Sequence, residues 1–198
     1  MFKYISDNEY RSLETMLEQE GEKIDVTQLK ESRMYTALSF SAFKNHQQCF
    51  KIVLNHARKY NIAGGEAAEK AATTAVKQGE FTMRKRKDLS NWVNMPTDER
   101  FSALHFSTYH GNIELIRIMV EEMGADYTTK NVYGANVLHV AAQGDQPCPL
   151  YYFVALKDMD INVADNRGST PLHWACYSKA EFALSYILAM GPDLEIVD

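Results

Sequence analysis

Gly168-Ser-Thr-Pro-Leu-His-Trp-Ala175 decides the fold, because it returns upstream. Gly134-Ala-Asn-Val-Leu-His-Val-Ala141 lies 34 residues before it, and Arg100-Phe-Ser-Ala-Leu-His-Phe-Ser107 another 34 before that. A fourth copy, Met34-Tyr-Thr-Ala-Leu-Ser-Phe-Ser41, stands 66 residues further back, two repeat lengths away. Self-similarity at a period near 33 is the signature of stacked helical repeats.

The leucines Leu38, Leu104, Leu138 and Leu172 set the register. Four residues before the leucine, Gly134 and Gly168 suit a turn position that needs positive φ. Thr170 and Ser102 lie two before it, placed to cap a first helix. Pro171 follows, where a helix start loses nothing from a missing N–H. Seven after the leucine, Gly111, Asp145 and Lys179 mark a break before a second helix. That helix is clearest over 112–123, where Ile113, Ile116, Val120 and Met123 form a stripe that should be buried, closed by Gly124. In the last copy the stripe is Phe182, Leu184, Ile187 and Leu188, ending at Gly191. Pro147 and Pro149 crowd the corresponding start in the preceding copy and predict a distorted or delayed helix there.

The T-P-L-H-x-A core resembles the ankyrin repeat, a turn followed by two short helices. The first copy departs from it with Ser39 in place of His. The resemblance implies an all-α solenoid in one continuous domain. Residues 1–30 read as an N-terminal capping half-repeat, whose helix from Asn8 to Gln19 carries Tyr10, Leu13, Met16 and Leu17. Repeats follow at 31–61, 98–130, 131–164 and 165–198. A degenerate repeat is expected at 62–97, with Ala72 in the leucine position and the basic run Arg84 to Lys87 in its second helix. Asp198 falls where Asp165 opens the fifth repeat, so the array is expected to continue past 198 in a longer protein.

Composition narrows the function. With 198 residues, 45% of them hydrophobic, the chain is an ordinary globular one. A net charge of −5 argues against nucleic-acid binding. The longest apolar run, 150–156, is far too short to span a membrane. Cys49, Cys148 and Cys176 are odd in number and widely spaced, which argues against a disulfide framework and for a reduced, cytoplasmic setting.

His105, His139 and His173 recur once per repeat, a pattern that raises the question of a metal site. Stacked repeats would separate them by roughly 10 Å, too far to share one zinc. The ankyrin resemblance implies instead that each His hydrogen-bonds between the turn and neighbouring backbone. Cys176 and Cys49 read as buried, inert thiols. No phosphate loop, G-x-S-x-G or H-E-x-x-H occurs, and no cofactor or metal is expected. The Arg84 to Lys87 run fits either a phosphate or nuclear-import patch or a solvated stretch.

What remains is a face for gripping another protein. In the ankyrin family, turn tips and the exposed ends of first helices line a concave surface. Here the position five after the leucine holds Phe43, Lys77, Tyr109, Gln143 and Tyr177, and the tips carry Tyr133 and Arg167. Phe40, Phe106 and Trp174, two after the leucine, read either as packing between repeats or as partner contacts. Tyr, Trp and Arg dominate interface energetics. The expected site is therefore Phe43, Tyr109, Tyr133, Arg167, Trp174 and Tyr177, for a protein or extended peptide bound by a monomer.

The stretches 136–147 and 168–177 are also similar to the ankyrin region of one branch of DHHC-type protein S-acyltransferases. That resemblance implies a substrate-recruiting arm on the cytosolic side of a membrane, with Trp174 in contact with substrate. The Asn that partners this Trp in the family would fall on Gly144. The D-H-H-C motif is absent from these residues, so this chain is not itself expected to be an enzyme. The competing reading is a non-enzymatic scaffold or adaptor in a larger assembly.

Overall fold

A computed structural model describes residues 1–60 and 89–198. The chain runs as pairs of antiparallel helices: α1 (Phe2–Ser6) and α2 (Tyr10–Glu20), α3 (Ala37–Phe43) and α4 (Gln47–Tyr60), α5 (Ala103–Tyr109) and α6 (Ile113–Arg117). Then come α7 (Val137–Gln143) and α8 (Pro147–Ala155), and α9 (Pro171–Ser178) and α10 (Glu181–Ala189). Odd-numbered helices stack on one another as an inner layer, and even-numbered ones form the outer layer. Among the described residues the fold is all-α; the sole extended pairing is an isolated bridge from Lys30 to Thr36. A turn of helix at 89–93 buries Leu89, Trp92 and Val93.

Two left-handed residues per unit turn the chain. Four before the leucine they are Met34, Arg100, Gly134 and Gly168, with φ of 62°, 61°, 80° and 92°. Seven after it they are Asn45, Gly111, Asp145 and Lys179, at 56°, 70°, 56° and 56°. Side-chain-bearing residues accept a local cost of about 1 kcal/mol there. Gly134 has a stronger requirement, since a Cβ would lie 2.3 Å from Asn166 Oδ1 and 2.6 Å from Asn166 N.

Each inner helix from α3 onward starts with a reciprocal capping box. The N-cap N–H of Ser102, Asn136 and Thr170 donates to Nδ1 of the His three residues on, at 3.2, 3.3 and 3.1 Å. In the first unit Ser39 does the same work: Thr36 N donates to its Oγ at 2.9 Å, and Ser39 N donates to Thr36 Oγ1 at 3.1 Å.

Several expectations change. The prolines of the fourth repeat do not delay its second helix. α8 begins at Pro147 itself, and both Pro147 and Pro149 sit in the first turn, where N–H groups have no helical acceptor. The helix expected over 112–123 is α-helical only to Arg117 and continues as a π turn over Ile118–Glu122. The wider turn rotates the buried stripe to Leu115, Ile116, Met119 and Met123, leaving Ile113 and Val120 half-buried. In α10, Ala183 and Ile187 are the buried residues, whereas Phe182 and Leu188 are exposed. A short α1, not anticipated from sequence, packs against α3.

The stack passes directly from α3 and α4 to α5 and α6. Asp98 N donates to Arg33 O at 3.2 Å, matching Val132 N to Glu99 O at 3.1 Å and Asn166 N to Tyr133 O at 3.0 Å. On the outer layer, Lys51 pairs with Glu114 at 2.8 Å and Arg58 with Glu122 at 2.6 Å. The helix pair expected at 62–97 falls largely on residues outside the described ones. Residues 61–88, including Ala72, Lys77 and Arg84 to Lys87, lie outside the described residues.

Candidate partner-binding site

Finger-like turns between units rise beside the inner helices, and their shape is set by one acid or amide each. Asn131 Oδ1 accepts from the N–H groups of Tyr133 and Ala135 at 2.9 and 3.0 Å. Asp165 Oδ1 accepts from those of Arg167 and Ser169 at 2.8 and 3.0 Å. Both loops thereby push their tips, Tyr133 and Arg167, into solvent. Asn166 Nδ2 donates to Val132 O at 3.1 Å and holds the two fingers side by side.

A groove of about 490 Å³ opens between these fingers and α9, lined by Val132, Tyr133, Asn166, Arg167, Trp174 and Tyr177, with Asp165 and Ser169 behind. Trp174 Nε1 donates to Asp165 Oδ2 at 2.9 Å, which fixes the indole, and its ring meets His139 edge-on at 5.6 Å. Tyr177 is 69% exposed, and its hydroxyl donates to Asp198 Oδ2 at 2.5 Å. Ser169 Oγ donates to the same oxygen at 2.9 Å. These bonds hold the Asp198 carboxyl below its ordinary pKa and push the Tyr177 phenol up. Burial pushes Asp165 up, but the donors on Arg167, Trp174 and Ser169 outweigh it and keep the carboxyl below the usual range.

A family model described as ankyrin repeats, in three copies, matches residues 104–198. Residues 104–198 are ankyrin repeats. The chain is 27% identical over 118 residues to the target of rapamycin complex 2 subunit AVO2 of Saccharomyces cerevisiae, covering 59% of this chain and 27% of that protein. It is 33% identical over 78 residues to the palmitoyltransferase AKR1 of Naumovozyma castellii, covering 37% and 10%. It is 36% identical over 67 residues to the human SMC5-SMC6 complex localization factor protein 1, covering 34% and 6%. The chain thus spans about a quarter or less of these relatives. Ankyrin repeats are protein-interaction modules.

Of the six residues expected there, the groove gathers Tyr133, Arg167, Trp174 and Tyr177. Phe43 and Tyr109 lie in lower tiers, 41% and 43% exposed. Phe43 joins a ring cluster with Tyr35 and Phe106, each at 5.3 Å. Phe40 is buried and Phe106 half-buried, so both serve the packing between units, while Trp174 packs edge-on against His139 and also lines the groove. Sequence reasoning missed Val132 and Asn166. Their place beside the tip residues Tyr133 and Arg167 was the available signal.

Gly144 answers for the absent Asn. A Cβ there would fall 2.2 Å from the Tyr109 carbonyl oxygen, so no larger residue fits without moving α5. Of the repeat histidines, His139 is a strut between units. His139 Nδ1 accepts within its cap, so the proton sits on Nε2, which donates to Ser169 O of the next unit at 3.0 Å. Burial pushes the pKa of His105 and His139 down to about 4. His173 Nε2 lies 3.9 Å from Asp198 Oδ1. Among the described residues no cluster of His, Cys, Asp and Glu could hold a metal.

Cys49 is buried, and burial raises its thiol pKa. Cys176, expected to be buried, is exposed. Its equivalents Ala42, Thr108 and Ala142 are each covered by the following inner helix, and among the described residues no helix stacks beyond α9. Among the described residues no helix is long and apolar enough to cross a membrane.

Proposed function

We propose that this chain grips an extended segment of a partner protein in the groove of Tyr133, Arg167, Trp174 and Tyr177, as the substrate-recruiting arm of a protein S-palmitoyltransferase. The observation that carries the binding reading is the meeting of two tyrosines, a tryptophan and an arginine in one groove. These residue types supply most of the energy at protein interfaces. The identity to AKR1 supports the acyltransferase setting. On this reading the chain binds substrate and transfers nothing, because it carries no D-H-H-C motif. Gly144 means that Trp174 works without the Asn partner found in that branch.

The second reading is a non-enzymatic adaptor. It is favoured by the match to AVO2, a complex subunit by name, which extends over more of this chain than the AKR1 match does. A photo-crosslinking residue at position 177, introduced in cells, separates the two. Crosslinks to proteins whose cysteine acylation falls in a Trp174→Ala strain support the recruiting arm. Crosslinks to subunits of one stable assembly support the adaptor. Equal capture from position 151, exposed on the outer helix α8, removes the groove from both.

A further inference from the structure

Nearly every polar side chain in the groove is spent on the chain itself. Asp165 accepts from Trp174 and two backbone N–H groups, Asp198 from Tyr177 and Ser169, and Asn166 donates to Val132. A basic partner would find these carboxylates already occupied by donors. Arg167 differs: it is exposed, and its guanidinium makes no hydrogen bond or ion pair among the described residues.

The same tip position one unit back is Tyr133, and two units back it is Glu99, with Asp98 beside it. Asp98 and Glu99 are exposed, and their carboxylates likewise have no hydrogen-bond or ion-pair partner among the described residues. Arg100 follows them and leaves that tip with one net negative charge. Along the rim the array therefore presents an anionic tip, an aromatic one and a cationic one.

We propose that the groove takes a bipolar extended segment: a carboxylate side chain on Arg167, apolar side chains over Tyr133 and Trp174, and a basic side chain on Asp98 and Glu99. This rests on reading the groove as the partner-binding face. Packed helices lie 8–10 Å apart, so two tiers span roughly 16–20 Å. An extended chain advances about 3.3 Å per residue, which separates the acid and the base by about five or six residues. Rim charges of this kind set register and partner choice more than raw affinity.

The test is selection of displayed random twelve-residue peptides on the full 198-residue chain and on three variants. Enriched peptides should carry an acid and a base about five or six residues apart, with apolar residues between. Arg167→Glu should select a base in place of the acid, and Asp98→Lys with Glu99→Lys an acid in place of the base. Each reversal should weaken the original peptides about tenfold. Peptides that ignore both reversals but are lost on Tyr133→Ala overturn the charge register and keep the groove. Peptides that also ignore Tyr133→Ala, or no enrichment over heat-denatured chain, overturn both.

Discussion

At the seam between α7 and α9, His139 crosses from one unit to the next, accepting from Asn136 N–H on one side and donating to Ser169 O on the other. At the seam between α3 and α5, Ser39 holds that position and closes its own cap without reaching across. Rings fill in for the strut: Tyr35 stacks on Phe106 at 5.6 Å, and Phe43 meets Phe106 edge-on at 5.3 Å. His110 Nε2 adds a bond to Phe43 O at 3.0 Å at the exposed edge. Both seams keep the finger-to-finger backbone bond. A buried polar strut and an apolar ring cluster are thus alternative ways to join tiers, and they differ in what breaks them.

Acid is the strongest way to separate the two. His105 and His139 are neutral in the fold, with pKa about 4 against an ordinary 6.5. Between those values the unfolded chain binds more protons, so stability is complete above about pH 6.5 and is lost as pH falls toward 4. The loss reaches up to about 3 kcal/mol per ring. Urea unfolding across this range should show it, and a flat profile would contradict buried neutral histidines. Next in size, His139→Ala orphans the Asn136 N–H, removes one of two donors to the Ser169 carbonyl and leaves a cavity, and should cost about 2–4 kcal/mol. Ser39→Ala removes only a cap partner and should cost about 1 kcal/mol. Equal losses would erase the contrast between the seams. The smallest effect belongs to the outer ion pairs: Lys51→Ala and Arg58→Ala should each cost under about 1 kcal/mol, because both pairs are solvent-exposed.

The repeat register was legible in detail. It located the left-handed turns at Gly134 and Gly168, the breaks between helices at Gly111, Asp145 and Lys179, the caps at Ser102 and Thr170, and four residues that converge on the groove. The π turn in the outer helix was hidden, since Ile113, Ile116, Val120 and Met123 fit an α period equally well. Pro147 and Pro149 break a helix interior, but their place at a helix start decides the outcome. The exposure of Cys176 depends on what stacks against α9, which local sequence does not encode.

Binding to the concave groove is the central claim, and the affinity of Tyr177→Ala for the captured partner tests it most directly. Tyr177 is 69% exposed, so its removal should leave the unfolding free energy within about 0.5 kcal/mol of the parent. The account predicts that affinity nevertheless falls by about 2 kcal/mol or more, the scale of an interface hot spot. An unchanged affinity in a stably folded variant would contradict it.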